Sequence, residues 1–242
     1  MLLTIALLLQ AAAAQNLAGG QNVTFETDDG VTIAASYYPP QKSKDAPAIV
    51  LVHQLGGTRA EWAPFIAALR ADHDYALLAI DMRGHGASTR GPGGRKLAFG
   101  AFGDTDWHKL PQDVHAAVDW LRGRKDIAPR SVGAVGSSIG SSAVLIYAAP
   151  TVAVHAVALL SPGLDYHGLH TRQVAAKYGH RPLLIVAAQE DARSAQAAAE
   201  LGKLAGRRAH VQIVPGTAHG TAMAASSPEL IPHVVQFFRD NL

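Results

Sequence analysis

Six apolar runs punctuate the chain, each pair separated by enough residues for at least one helix. They are AIVLVH (48–53), YALLAIDM (75–82), SVGAVGSS (131–138), VHAVALLS (154–161), PLLIVAA (182–188) and AHVQIVPG (209–216). Near-uniform apolarity over so short a run is the signature of strands buried on both faces of a parallel sheet. Upstream, VTFET (23–27) and VTIAASYY (31–38) flank the turn Asp28-Asp29-Gly30 and predict a hairpin, followed by a polar linker over 39–47. Between the runs the period changes to that of helices. Trp62, Phe65, Ile66 and Leu69 fall at i, i+3, i+4 and i+7, behind Thr58 and Glu61 at the spacing of a capping box. Pro111 suits a first helical turn, with Val114, Ala117, Val118 and Leu121 on one face behind it, and 194–204 and 229–238 read as further helices. This alternation predicts an α/β fold: a mostly parallel central sheet of about eight strands with helices on both faces, in one domain over 22–242.

The opening MLLTIALLLQAAAAQ differs from everything after it. Residues 2–9 are apolar, Ala11 to Ala14 are small, and the run is too short for the ~20 residues that span a bilayer. We read 1–14 as a secretory signal peptide cleaved near Ala14, which implies a periplasmic or secreted protein without stable membrane insertion. Because the segment begins without Lys or Arg, a docked N-terminal helix in a cytoplasmic protein is the alternative.

Composition excludes more than it assigns. At 48% hydrophobic and 17% charged residues the chain is not a disordered tail, and 21 basic against 19 acidic residues give no electrostatic case for nucleic acid. The absence of cysteine removes disulfides, thiolate metal sites and a cysteine nucleophile. Nothing in the composition reports the oligomeric state.

Open α/β sheets bind ligands beyond the C-terminal ends of their strands. Those ends here carry His53-Gln54-Leu55-Gly56-Gly57, Asp81-Met82-Arg83-Gly84-His85-Gly86, Ser138, Ser161-Pro162-Gly163, Gln189-Glu190-Asp191 and Thr217-Ala218-His219-Gly220. A serine, an acid and a histidine thus fall at three ends. Gly136-Ser137-Ser138-Ile139-Gly140 matches G-x-S-x-G, in which a sharp strand-to-helix turn exposes the serine and demands small residues two positions away on either side. Only Ser138 among the four clustered serines meets that demand: Ser137 is flanked by Val135 and Ile139, Ser141 by Ile139 and Ala143, and Ser142 by Gly140 and Val144.

A serine hydroxyl needs a base, and the base needs a group to fix its tautomer. Of twelve histidines, His219 lies just past the last strand, whereas His210 starts that strand and His233 sits on the terminal helix. The acid is Asp191, with Glu190 and Asp165 as alternatives at neighbouring strand ends. Two backbone N–H groups must hold the developing oxyanion, Ile139 supplying one and the loop after residue 53 the other. His167-Gly168-Leu169-His170 has H-x-x-H spacing but no third ligand nearby, so we assign no metal and no cofactor.

Taken together, VHQLGGTRAEW, DMRGHGAS, VGSSIG, LLIVAAQEDARS and PGTAHG resemble the α/β-hydrolase superfamily in content and order over residues 23–242. The chain is most similar to its dienelactone-hydrolase-like and small serine esterase members. The resemblance implies the α/β-hydrolase fold, the order Ser138, Asp191, His219 for the triad, and Leu55 as the second oxyanion donor. It also implies that Asp81, Arg83 and His85 brace loops. Two departures are visible: Gln54 stands where the family usually has glycine, and the cysteine of dienelactone hydrolases proper is replaced by serine.

The short connection over 162–179 leaves no room for a large lid domain, so the site is expected to be open. Phe102 and Trp107 from the Gly-rich connection over 89–109, with Leu164 and Tyr166, are candidate pocket walls. The expected substrate is a small-molecule ester or lactone. The alternatives are an acyltransferase or a non-hydrolytic binding protein on the same fold. A nucleotide-binding loop is disfavoured, because GAVGSSIG lacks both the G-x-G-x-x-G and the Gly-Lys-Ser/Thr patterns.

Overall fold

The apolar runs become the interior of a single sheet. In the computed structural model, which describes residues 19–43 and 45–242, the strands are β1 (Gln21–Glu26), β2 (Thr32–Tyr38), β3 (Ala46–Val52), β4 (Ala76–Ile80), β5 (Ile127–Ser137), β6 (Ala156–Leu160), β7 (Leu183–Ala188) and β8 (Ala209–Val214). They pair in the order β1-β2-β4-β3-β5-β6-β7-β8. β2 is antiparallel to β1 and β4, and every other pairing is parallel. The segment read as a signal peptide lies outside the described residues.

The helices that cover the sheet are α1 (Ala63–Asp72), α2 (Leu110–Arg122), α3 (Ile139–Ala148), α4 (Ala192–Ala205) and α5 (Leu230–Asn241). Strand side chains alternate between two cores, as a period of two requires. Ala48, Val50 and Val52 of β3 join α2, α3 and α4 in one core, whereas Ile49 and Leu51 join Trp62, Phe65, Ile66 and Leu69 and the terminal helix in the other. The predicted face of α2, Val114, Ala117, Val118 and Leu121, is fully buried. Each large aliphatic side chain so buried contributes about 1.5–3 kcal/mol.

This layering fixes where a site can form. From β3 the chain steps to β4 on one side and then crosses back to β5 on the other. That reversal opens a crevice at the C-terminal ends of β3 and β5, the usual ligand position of such sheets. The connection after β6 holds only a two-stranded ribbon, Asp165–Tyr166 with Leu169–His170, and the single helical turn Arg172–Ala175, so no large lid is inserted there.

Candidate active site

Ser138 stands between β5 and α3 with φ 54° and ψ −119°, a conformation that costs a non-glycine residue about 1–3 kcal/mol. The turn is held against that strain. The Ser138 N–H donates to the Leu160 carbonyl at 2.8 Å, and the Ser141 N–H donates to the Ser138 carbonyl at 2.9 Å. The flanking glycines are required by space: a Cβ on Gly136 would strike the Gly140 carbonyl, and one on Gly140 would lie 2.5 Å from the carbonyl oxygens of Val52 and His53. Ser138 is 6% exposed.

His219 and Asp191 arrive from the ends of β8 and β7. The Nε2 of His219 lies 2.7 Å from Ser138 Oγ, and its Nδ1 lies 2.6 Å from Asp191 Oδ2. Burial pushes the Asp191 carboxyl up, but the hydrogen bond from His219, with nearby Ser194 also favouring the charged form, outweighs it, so the net shift is downward. A carboxylate that stays ionised holds the imidazole proton on Nδ1 and leaves Nε2 free to accept from the serine. The two other candidate acids are elsewhere. Asp165 accepts from the Gly168 N–H at 2.8 Å and pairs with His170 Nδ1 at 3.2 Å, and Glu190 is exposed.

The loop after β3 is held by its own polar groups. Buried His53 accepts the Met82 N–H on Nε2 at 2.9 Å, so its proton sits on Nδ1, which donates to the Gln54 carbonyl at 2.6 Å. Burial pushes the ring down to about 3, with nearby His85 adding to the shift, and the ring stays neutral. The Gly57 N–H also donates to the Gln54 carbonyl, at 3.0 Å. Because the peptide is planar and trans, fixing this carbonyl fixes the opposite direction of the Leu55 N–H. Neither the Leu55 nor the Ile139 N–H has an acceptor among the described residues. Ile139 also opens α3, whose N-terminal end favours negative charge.

Two serines without a role in the sequence reading hold the histidine loop. Ser161 Oγ accepts the Gly220 N–H at 2.8 Å, and Ser137 Oγ accepts the Thr221 N–H at 3.2 Å. Ser161 follows β6 at φ 49°, and its place just past a strand end was the one signal available. Ser141 Oγ lies 2.7 Å from the Gly136 carbonyl and stitches the elbow to its helix.

The remaining candidates pack locally. Trp107 is buried, edge-on to Phe102 at 5.0 Å and stacked on His167 at 4.3 Å. Leu164 and Tyr166 pack against the same core. Of the H-x-x-H pair, His170 Nδ1 lies 3.2 Å from Asp165 Oδ2, and His167 stacks on Trp107. Asp81 accepts from the Arg59 guanidinium at 2.9 Å, and Arg83 bridges Asp113 at 2.7 Å and Asp29 at 2.9 Å, bracing the loop as expected.

Comparison with known proteins agrees with this architecture. The sequence profile of the alpha/beta hydrolase fold matches residues 47–178, and the chain belongs to that family. An uncharacterized protein of Mycobacterium tuberculosis, Rv2307c, is 26% identical over 238 residues, covering 91% of this chain and 77% of its own. The Pyrococcus furiosus esterase Pf2001 superposes with a TM-score of 0.72 at 17% identity, covering 92% of each chain. A dienelactone hydrolase from Anabaena variabilis gives 0.68 at 18% identity, covering 93% of this chain and 99% of its own. At these identities the two solved structures speak to the fold.

Proposed function

We propose that this protein is a serine hydrolase that cleaves carboxylic esters or lactones of small to medium size through an acyl-enzyme. The observation that carries the reading is the unbroken chain from Asp191 through His219 to Ser138 Oγ, with contacts of 2.6 and 2.7 Å, at a strained strand-to-helix turn. The esterase and dienelactone hydrolase that share the fold support the choice of ester chemistry.

In this mechanism His219 Nε2 takes the Ser138 proton as Oγ adds to the substrate carbonyl. The oxyanion is held by the Ile139 N–H and the Leu55 N–H, and the imidazolium is stabilised by Asp191. His219 returns the proton to the departing alkoxide. Water then repeats the sequence in reverse, and the His219 side chain, 39% exposed, stands where water reaches it.

A fluorophosphonate probe tests the nucleophile directly. The wild-type protein becomes covalently labelled and hydrolyses members of a chromogenic ester and lactone panel, and Ser138→Ala loses both while melting as a folded protein. Labelling that persists in Ser138→Ala overturns the reading.

A further inference from the structure

Glu61 occupies a position for which the sequence offers an ordinary explanation, and the structure shows something different. A capping-box glutamate bonds back to the N-cap N–H, which here is that of Thr58. Thr58 does cap the turn Arg59–Trp62, accepting the Ala60 N–H at 3.4 Å. The Glu61 carboxyl instead reaches past Thr58 and accepts the Gln54 N–H at 3.2 Å.

Three segments of the site meet at that carboxyl. The first is the loop after β3: Glu61 holds the Gln54 N–H, and its Oε2 packs so closely on Gly57 that a Cβ there would strike it. The second is the elbow, whose Ser137 hydroxyl stands near enough to favour the charged form of the carboxyl. The third is the histidine loop, whose Thr221 hydroxyl, two residues after His219, also favours the charged form, and whose Thr221 N–H donates to Ser137 Oγ at 3.2 Å. Ser137 itself takes the Thr221 N–H and lies 3.5 Å from Gln54 Oε1, so the three segments are also linked to one another.

The effect on Leu55 follows from peptide geometry. The Gln54 N–H belongs to the peptide plane before Gln54, and the Gln54 carbonyl and Leu55 N–H share the plane after it. His53 and Gly57 hold the second plane, and Glu61 holds the first. Fixing two successive planes fixes the backbone dihedrals between them, and with them the aim of the Leu55 N–H.

We propose that Glu61 is a positioning residue for ester hydrolysis: its carboxyl ties the loop carrying the Leu55 N–H to the nucleophile elbow and the His219 loop. This rests on the serine hydrolase reading above. Burial raises the carboxyl to about 7, against the Gln54 N–H and the nearby Thr221 and Ser137 hydroxyls, which favour the charged form.

The test compares Glu61→Leu, Glu61→Asp and Glu61→Gln with wild type on one chromogenic ester, with kcat and KM resolved and thermal melts recorded. Glu61→Asp withdraws the carboxyl by one methylene and keeps the charge, which covers the case in which Glu61→Leu fails to fold. Misplacing one of two oxyanion donors lowers kcat by about 10–10²-fold, somewhat less than deleting it. That loss is expected in Asp and Leu with KM within about threefold, and Gln, which still offers an oxygen to Gln54, restores most of kcat. A folded Glu61→Asp with wild-type kcat overturns the proposal, as does Glu61→Gln impaired as deeply as Leu. If wild type hydrolyses no ester and Ser138 takes no probe, the hydrolase reading itself fails. If both succeed and the Glu61 variants behave as wild type, only the positioning role fails.

Discussion

Gly140→Ala places one methyl group between the start of α3 and the end of β3. A Cβ there would sit 2.5 Å from the carbonyl oxygens of Val52 and His53, whereas ordinary contact begins near 3.4 Å. Both obstacles are backbone, so neither can rotate aside, and about 0.9 Å must open between helix and strand. Overpacking of this kind costs about 1–3 kcal/mol, and a protein of this size then loses on the order of 2–12 °C in Tm. The kinetic effect is larger. The opening separates Ile139 from the loop carrying Leu55, and a misplacement near 1 Å costs about 10²-fold in rate. The assay is a thermal melt with kcat and KM on a chromogenic ester. Gly100→Ala is the control, because a Cβ at that position meets nothing within 4 Å. If Gly140→Ala matched that control in both Tm and kcat, the close approach of helix and strand would not be what organises the site.

Asp191→Asn preserves shape but removes the charge that fixes the His219 tautomer, so ester turnover falls by about 10³–10⁴-fold. Near-normal turnover would detach Asp191 from the mechanism. Ser142 Oγ is buried without a hydrogen-bond partner among the described residues, so Ser142→Ala leaves kcat unchanged and holds or raises stability by about 1 kcal/mol, read from denaturant midpoints. Glu61 adds a pH dependence to folding. Its carboxyl titrates at about 7 in the folded chain against an ordinary 4.5, so the native state holds the proton more tightly. That contribution is complete below 4.5 and is lost as pH rises through about 7, a decline of roughly 3 kcal/mol by linkage. Glu61→Gln removes it, and denaturant unfolding from pH 5 to 8 shows a flatter profile than wild type. Parallel profiles would refute the assignment.

The Ser138 and His219 positions, and the short set of acids that includes Asp191, were legible because each follows from a local rule. A parallel sheet buried on both faces leaves uninterrupted apolar runs, and ligand chemistry can stand only where those runs stop. The glycines around Ser138 were legible for a similar reason: a turn with φ 54° between a packed strand and helix leaves no room for a Cβ two residues away on either side. Choosing Asp191 over Asp165 and Glu190 needed the fold. All three stand at strand ends, Glu190 in the same β7–α4 turn as Asp191, and among the described residues it is the Asp191 carboxylate that lies 2.6 Å from His219 Nδ1.

What the sequence by itself determined about this protein is its alternating α/β layout, its family, and which strand ends carry reactive groups, because those depend on periodicity and on neighbours two to four residues apart. Only the tertiary structure decided how the groups between the strand ends are held. Glu61 meets Gln54 seven residues away, but Ser137 meets Thr221 across 84 positions and Ser161 meets Gly220 across 59. Contacts of that span are set by the order in which strands pair, and no local pattern of polar and apolar residues encodes them. A glutamate three residues after a threonine reads as a helix cap in any sequence. It stands beside the Ser137 elbow as well as the Leu55 loop only because β3 and β5 lie side by side and bring their loops to one point.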